Sequence, residues 1–344
     1  MTAMKNVLYL GFFILKTNYA DLNKSIHCTV KKGYSKYRLI LDMVFSAILY
    51  GSSFVDYFNF QFYRKNRAER KAYATMGIMY KFHKKVNDKN YIAKIDDKKH
   101  FSVNFAEYCN KPFFYTKDQY QELIRVLGEK NGKKIVIKDP TSTGGKGVQV
   151  VELNLHNGKL YANSLELELL LNQHFQNNTL FYFEDFIEQH SLISEISPTA
   201  VNTIRVITMI NDNREPEIIG SVFRISVDCP IDNYSAGNMA AEIDKETGVV
   251  ITGGIRKRSS CDEYHDLHPV TKKTIKGLVI PNWDAITKAS LEAALVVPEV
   301  RTVGWDIAVT ENGPIFIEGN SQWNKDTWQI PAGKGKIDII AKYL

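Results

Sequence analysis

The chain has 344 residues, of which 44% are hydrophobic, 24% charged and 12% aromatic. This composition excludes an intrinsically disordered chain, a collagen and a disulfide-stapled miniprotein, and the length predicts two or more subdomains around a cleft. The formal charge of +6 is uneven, because residues 1–100 carry 19 Lys and Arg against 7 Asp and Glu, a balance of +12 that leaves −6 for residues 101–344.

The first hundred residues are predicted to form a basic, mainly helical region. Between Lys36 and Lys85, aromatic and apolar side chains recur at helical spacing among many Lys and Arg. The apolar runs at 7–15 and 39–50 are shorter than the ~20 residues of a membrane span, so neither a signal peptide nor an anchor is expected. Four widely spaced cysteines are interpreted as reduced thiols of a cytoplasmic protein.

A glycine-rich loop between two predicted strands is the first candidate ligand site. Short apolar runs at 135–138 and 148–151 flank Thr141–Gly147, which contains Gly144, Gly145 and Lys146. No helix pattern follows the loop, which argues against a P-loop or a dinucleotide-binding turn. The loop is either a flap over phosphates or a solvated hairpin tip. Lys138 favours the flap, because a lysine that ends an apolar strand is costly to bury without an anion.

The remainder of the chain is predicted to alternate helices and strands. Asn163 and Glu166 are spaced as a capping box for a helix that runs to about Phe175. Further strands are predicted at 180–183, 203–210, 218–227, 239–243 and 249–252, and a final hairpin at 303–310 and 314–318.

The final hairpin carries the second candidate site. A three-residue loop, Glu311–Gly313, would place Asp306 directly opposite Glu318, with Asn320 on the same face. Two opposed carboxylates and an amide oxygen are hard ligands that suit Mg²⁺. A two-residue loop at 312–313 would instead turn Glu318 to the other face and leave a solvated edge hairpin. We favour the metal site, since Trp305, Ile307, Ile315 and Ile317 would supply an apolar second face.

Several motifs in chain order resemble the ATP-grasp superfamily, and within it the sugar-transfer-associated branch found with bacterial polysaccharide biosynthesis. The resemblance runs from about Tyr37 to Asn320. The motifs that carry it are Ile137–Pro140 with the Gly144–Gly147 loop, Phe183–His190, Asn202–Val206, Phe223–Ile225 with Asp232–Asn233, His268–Thr271 through Ile280–Trp283, and Gly304–Ala308 with Ile317–Asn320.

This resemblance implies an α+β ATP-grasp fold, in which two α+β subdomains clasp ATP behind the basic helical region. The implied division is a helical region at 1–100, a subdomain with the flap and hinge strand at 101–190, and a subdomain with the Mg²⁺-binding hairpin at 191–344.

The resemblance also assigns roles to individual residues. Lys138 and Lys98 would contact phosphates of ATP, together with the flap residues Gly144, Gly145 and Lys146. The implied hinge strand, which would meet adenine through backbone groups, is Glu184, Asp185, Phe186 and Ile187, and Glu188 would bind ribose. The implied Mg²⁺ ligands are Asp306, Glu318 and Asn320. Related ligases carry an arginine where this chain has Gly304, so Arg205 and Arg224 become the candidates for stabilising the tetrahedral intermediate.

The function implied by the resemblance is an ATP- and Mg²⁺-dependent carboxylate-amine ligase that acts through an acyl phosphate. The expected substrates are small amines and carboxylates, with the carboxylate of a uronic acid or amino acid used in capsule or O-antigen synthesis. Two alternatives remain open: a binding module for an anionic glycan or lipid-linked sugar, and an ATP-grasp kinase. Residues 1–100 are expected to contact substrate or the surface of the inner membrane, and nucleic acid is not an expected partner.

Overall fold

The computed structural model describes residues 2–138, 148–228, 234, 237–256 and 263–344. Its strands form two sheets of six. The strands are β1 (Phe113–Thr116), β2 (Lys134–Lys138), β3 (Val148–His156), β4 (Lys159–Ala162), β5 (Leu165–Glu166), β6 (Leu180–Asp185), β7 (Thr203–Ile210), β8 (Pro216–Ile225), β9 (Met239–Glu242), β10 (Ile255–Arg256), β11 (Thr302–Thr310) and β12 (Gly313–Asn320).

Helices form the N-terminal region and pack on the faces of both sheets. They are α1 (Thr2–Lys16), α2 (Tyr19–Lys31), α3 (Lys36–Tyr50), α4 (Phe54–Asn59), α5 (Arg67–Lys71), α6 (Met76–Val86), α7 (Ala93–Asp96), α8 (Lys98–Asn104), α9 (Tyr120–Gly128), α10 (Leu167–Asn177), α11 (Ser191–Ile196), α12 (Trp283–Ala294), α13 (Lys325–Gln329) and α14 (Ile337–Ile340). Within the described ranges, none of these helices is both long and apolar enough to cross a bilayer.

Both sheets are antiparallel throughout, and each has its own core. The first sheet has the order β1-β6-β2-β3-β4-β5 and packs on α9 and α10. The second has the order β10-β9-β8-β7-β11-β12. The predicted strands at 135–138 and 203–210 are present. The predicted capping box is wrong: Asn163 lies in the β4–β5 turn, where its side chain accepts a hydrogen bond from the Glu152 N–H, and α10 begins at Leu167.

The two faces of the second sheet bury different partners. Alternate residues of β7 and β11, such as Val206 and Trp305, pack against α12 and the helices before β1. The opposite face is covered by the N-terminal helices and the C-terminal segment, through residues such as Val222 and Met209. Side chains along a strand alternate between the two faces of a sheet. Arg205 is on the same face as Met209 in β7, and Asp306 is on the same face as Gly304 in β11, so both point toward the face that the N-terminal helices cover. The N-terminal helices and the candidate site therefore share one face of the sheet.

A buried ionic cluster joins the N-terminal helices to the end of the chain. The Lys325 ammonium, 6% exposed, lies 2.6 Å from Asp56 and 2.8 Å from Asp326. Burial alone would lower the pKa of Lys325, but these two carboxylates outweigh it and raise the pKa above its usual range. Asn59 donates a further hydrogen bond to Asp326 at 3.1 Å. The helical region is thus anchored to the C-terminal segment of the chain by paired charges as well as by apolar contacts.

His83 should make the stability of the protein depend on pH. Its ring packs edge-on against Trp323 at 5.2 Å, its Nε2 has no hydrogen-bond partner within the described part of the chain, and burial lowers its pKa to about 4. The unfolded chain therefore binds more protons than the folded one between about pH 6.5 and pH 4, so the free energy of unfolding falls by about 3 kcal/mol as pH is lowered through this window.

Urea unfolding of wild type and His83→Leu at pH 7.5 and at pH 4.5 tests this dependence. The variant should lose less stability than wild type between the two pH values, and His27→Leu, at an exposed position of α2, should behave like wild type. Equal losses in wild type and His83→Leu would contradict the assignment.

Candidate active site

Three charged side chains from neighbouring strands meet on the second sheet. Arg205 of β7 stands opposite Asp306 of β11 and donates two hydrogen bonds to its carboxylate, from Nε at 2.5 Å and from Nη2 at 2.8 Å. Arg224 of β8 donates a third, from Nη1 at 2.5 Å. Burial alone would raise the pKa of Asp306, but the two guanidinium charges and their hydrogen bonds outweigh burial and hold the pKa well below its usual range. Asp306 is therefore ionised and fixed in orientation.

Gly304 makes room for this arrangement. A Cβ atom at Gly304 would lie 2.7 Å from the Cβ of Trp323 and 3.2 Å from the Cδ of Arg205. The Arg205 side chain therefore passes over Gly304 of β11, and any larger residue at position 304 would displace it. Gly304, where the resemblance led us to expect an arginine, is thus adjoined by Arg205 from the neighbouring strand β7.

The predicted pairing of Asp306 with Glu318 is confirmed, but the predicted loop is wrong. Thr310 pairs with Gly313, so the loop contains only Glu311 and Asn312. A β-bulge then shifts the register, since Ile307 pairs with Phe316 whereas Asp306 pairs with Glu318. Because the bulge adds one residue to β12, Glu318 returns to the face of Asp306, and Phe316 rather than Ile317 is the buried apolar residue.

Glu318 and Asn320 complete a cluster of oxygen ligands beside Asp306. The Asn320 amide donates to Glu318 Oε1 at 3.2 Å. Desolvation by the surrounding protein, followed by the charge of Asp306, raises the pKa of the Glu318 carboxyl, although one side of this side chain is exposed. The two carboxylates thus repel each other across the hairpin, and a bound cation would relieve that repulsion.

The chemistry of these residues fits Mg²⁺. Asp306 accepts three hydrogen bonds, which leaves one of its roughly four lone-pair sites for a metal. Glu318 offers carboxylate oxygens on its exposed side, and Asn320 offers an amide oxygen. In the described ranges there is no group of three or more His, Cys, Asp or Glu that could hold a metal ion. A cation bound at the hairpin would instead be held by two carboxylates and one amide.

A second charged pair lies on the first sheet, at the end of β2. The Lys138 ammonium is 2.5 Å from the Glu184 carboxylate of β6, and the Tyr182 hydroxyl donates to the other oxygen of that carboxylate. Lys138 also lies 5.8 Å from the centre of the Tyr182 ring. Both charged side chains are largely buried, at 15% and 13% exposure. A buried lysine with one carboxylate partner retains N–H donors that can reach a phosphate.

The segment before β1 connects the hairpin of the Asp306 cluster to the Lys138–Glu184 pair. Cys109 bridges to Phe316 of β12, and Tyr108 accepts the Phe316 N–H at 2.9 Å. Burial, with the nearby charge of Glu184 added, raises the pKa of Cys109 to about 12, and Lys138 opposes this rise. The thiol therefore lies within the electrostatic reach of the Lys138–Glu184 pair and remains protonated at neutral pH, which argues against a covalent role.

The predicted hinge is a short segment held by hydrogen bonds on both sides. The Asn110 amide donates to the Asp185 carbonyl at 3.2 Å, and the Asp185 carboxylate pairs with Lys130 at 2.5 Å. The Phe186 N–H donates a hydrogen bond to the Lys134 carbonyl at 3.2 Å, so this N–H already has a partner in the protein. Glu188 is exposed, and Ile187 is half-buried beside it. The segment is therefore anchored, with the Asp185 carbonyl able to accept a second bond.

Helix α8, which begins at Lys98, packs against the β11–β12 hairpin. Helices α7 and α8 pack against β12 at Gly319, where a Cβ atom would come within 2.8 Å of Ile95 and 3.0 Å of Phe101. Asp96 accepts hydrogen bonds from the Ser321 N–H and hydroxyl at 2.8 and 2.7 Å. Glycine between Glu318 and Asn320 thus allows the helix that begins at Lys98 to approach the ligand strand closely.

The predicted site residues are partly assembled in this way. The hairpin ligands and both arginines form one cluster, and Lys138, Glu184 and the hinge form a second beside it. Gly144, Gly145 and Lys146 lie outside the described residues. Sequence reasoning missed Tyr182, Cys109 and Gly319. Of these, Gly319 carried a signal, because a glycine between two candidate ligands indicates close approach by another element.

Comparisons with known proteins extend over most of the chain. A family model described as sugar-transfer associated ATP-grasp matches residues 77–342. The solved structures that resemble the chain include a D-alanine–D-alanine ligase from Bacillus anthracis, at 14% identity and a TM-score of 0.39, covering 72% of this chain and 66% of that one. No curated protein matches the chain.

Two further solved structures are similar at the same level. The ATP-grasp ligase PsnB, complexed with a phosphomimetic variant of its minimal precursor, Mg and ADP, is 11% identical at a TM-score of 0.41, over 78% of this chain and 66% of that one. The ADP complex of purK, an N5-carboxyaminoimidazole ribonucleotide synthetase, is 10% identical at a TM-score of 0.38, over 70% and 50%. The chain therefore spans less than two thirds of the length of these structures, and the likeness concerns the fold.

Proposed function

The chain belongs to the sugar-transfer-associated ATP-grasp family, and from that premise we propose that it is an ATP- and Mg²⁺-dependent ligase. In the proposed reaction a substrate carboxylate attacks the γ-phosphorus of ATP, and the resulting acyl phosphate is attacked by an amine to give an amide and phosphate. The observation that carries this proposal is the cluster of Asp306, Glu318 and Asn320 with Arg205 and Arg224 on one hairpin and its neighbouring strands. The Lys138–Glu184 pair is linked to this hairpin through Cys109, which bridges to Phe316.

Each group in this cluster would have a defined task. Lys138 would bind a phosphate oxygen while Glu184 holds the ammonium in place, and Lys98 would approach from the side of α8. The bound Mg²⁺ would supply charge neutralisation for the β- and γ-phosphates. Arg205 and Arg224, held by Asp306, would present N–H groups to the oxyanion that forms when the amine attacks.

The absence of a nucleophile from this set agrees with the proposed chemistry. Phosphoryl transfer of this kind requires positioning, desolvation and charge stabilisation rather than a covalent enzyme intermediate. Cys109, whose thiol lies within the electrostatic reach of the Lys138–Glu184 pair, is held protonated by burial. The association of the family with sugar transfer supports a sugar-linked substrate, and we propose that the carboxylate belongs to a uronic acid or amino acid destined for a capsule or O-antigen polysaccharide.

An isotope experiment tests the acyl phosphate directly. The protein is incubated with Mg²⁺, ATP and a panel of uronic acids and amino acids whose carboxylates contain ¹⁸O, each combined with a panel of amines. We expect release of ADP and of phosphate that contains one ¹⁸O atom, because the carboxylate oxygen leaves with the phosphate. Hydroxylamine added in place of the amine should trap the acyl phosphate as a hydroxamate.

The same assay distinguishes the two alternatives. A stable phosphorylated product without release of labelled phosphate would identify a kinase. Nucleotide and Mg²⁺ binding without ADP release across the panel would favour a binding module. Either result would contradict the ligase proposal.

A further inference from the structure

Helix α3 is apolar on two opposite faces, and only one of them is covered. Leu39, Met43 and Ala47 are buried against the N-terminal core. On the other side Leu41, Phe45 and Leu49, spaced four residues apart, are 60%, 58% and 59% exposed. A helix that is apolar all round is normally buried on all sides. The outer face of α3 is therefore unusual for a surface helix.

Helix α1 extends this exposed apolar surface. It packs beside α3 and buries Phe13, while Phe12, Ile14 and Leu15 remain exposed, Leu15 at 84%. We call the solvent-facing apolar residues of these two helices the outer face; its members are Leu15, Tyr37, Leu41, Phe45 and Leu49. Apolar residues scattered singly over a surface need no explanation, but a row of four on one helix, with a further exposed leucine on the helix packed beside it, indicates an interaction site.

Positive charge surrounds this face. Residues 1–38 contain seven Lys and Arg and one Asp. Lys16, at the end of α1, and Lys36 and Arg38, at the start of α3, are all exposed. The acidic side chain on α3, Asp42, is engaged by both nitrogens of Arg70 at 2.7 Å and by the Tyr57 hydroxyl. The outer face thus combines apolar side chains with a strong excess of positive charge.

We propose that the outer face docks on the surface of an anionic lipid bilayer. Apolar side chains backed by lysine and arginine are the features that hold an amphipathic helix in the interface plane of such a membrane. Helices of 15 residues, such as α1 and α3, span about 22 Å and are too short to cross the hydrocarbon core, so they would lie along the surface. A second copy of this chain would bring like charges together, which disfavours a dimer as the occupant.

Docking in this way would place the active site beside the membrane. Tyr9, Phe12 and Phe13 of α1 line a cavity of about 610 Å³ together with Trp323 and Lys325. Trp323 packs directly on Gly304, which adjoins Arg205. The cavity that α1 lines therefore lies one buried side chain, Trp323, away from Gly304 and the adjoining Arg205.

Vesicle co-sedimentation of the full chain tests the proposal. Wild type should pellet with vesicles of phosphatidylcholine and phosphatidylglycerol and should bind at least tenfold more weakly to phosphatidylcholine alone, since Lys and Arg near the surface each add to binding of anionic lipid. Leu41→Glu combined with Phe45→Glu should reduce binding to the anionic vesicles by at least tenfold. The matched control, Leu169→Glu with Leu267→Glu, places the same charges at exposed leucines elsewhere and should bind as wild type does.

Independent measurements separate this proposal from folding and from the ligase assignment. Circular dichroism and ATP affinity should be the same in wild type and both double variants, because all four substituted side chains are at least half exposed and none belongs to the candidate active site. The proposal is overturned if wild type fails to pellet, or if it pellets equally with both kinds of vesicle. It is also overturned if the Leu41/Phe45 variant pellets as wild type does, or if that variant converts a dimer in solution to a monomer. Failure of the isotope experiment would leave the vesicle result unaffected.

Discussion

Replacing Glu318 with glutamine should reduce ATP turnover on the order of a thousandfold while slightly raising the free energy of unfolding measured without Mg²⁺. The loss of turnover follows because an amide is a poorer ligand than a carboxylate for a hard cation at the transferring phosphate. The gain in stability follows because the pKa of Glu318 is raised in the folded protein, first by desolvation and then by Asp306. An ionised Glu318 at neutral pH therefore destabilises the fold, and Gln removes that charge.

Glu311→Gln is the matched control for this experiment. Glu311 lies in the loop of the same hairpin, is exposed, and contacts His190 and the Ser191 N–H rather than the ligand cluster. ATP turnover by Glu311→Gln should stay close to that of wild type. Steady-state ADP release and urea unfolding with and without Mg²⁺ supply both readouts. Turnover of Glu318→Gln within a few fold of wild type would remove Glu318 from the proposed metal site.

Replacing Arg205 with methionine should lower both stability and activity. Arg205 makes two of the three hydrogen bonds to buried Asp306, and both side chains are almost fully covered, at 8% and 3% exposure. Removing one partner of a buried ion pair typically costs about 3–5 kcal/mol, and we expect the lower end of this range because Arg224 still compensates part of the charge of Asp306. In the proposed reaction the same change removes an N–H donor from the oxyanion, which would cost on the order of a hundredfold to a thousandfold in turnover.

Two further variants separate charge from geometry. Arg205→Lys keeps a positive charge but cannot make the two-point contact with Asp306, so it should recover part of the stability and little of the turnover. Arg301→Met breaks the pair with Asp212, in which the carboxylate side chain is 73% exposed, and should cost about 1 kcal/mol or less. Urea unfolding of all three variants and ADP release at saturating ATP provide the comparison. A loss in Arg205→Met no larger than that in Arg301→Met would show that the buried pair contributes little.

Local patterns in the chain were sufficient to place most strands and the principal motifs. Apolar β-branched runs mark β7 over the same residues, 203–210, that the structure assigns to it. Lys138 at the end of an apolar strand predicted a phosphate contact, which stays a prediction, and the structure places the carboxylate of Glu184 beside it. The capping box at Asn163 failed because a side-chain oxygen three residues before a glutamate serves a hairpin turn equally well. Structure that depends on neighbouring residues can thus be predicted from sequence, except where two local structures provide hydrogen bonds for the same side chains.

The sequence by itself determined most of the strands, because periodicity and turn chemistry are local properties, whereas the class of fold came from the resemblance carried by motifs in chain order. Only the tertiary structure decided that a bulge, not a three-residue loop, restores Glu318 to the face of Asp306. It also decided that both candidate arginines converge on one carboxylate, and that the N-terminal helices cover the face on which this happens. These outcomes depend on pairing between strands about a hundred residues apart, as in the Arg205–Asp306 pair, and no local pattern specifies such contacts.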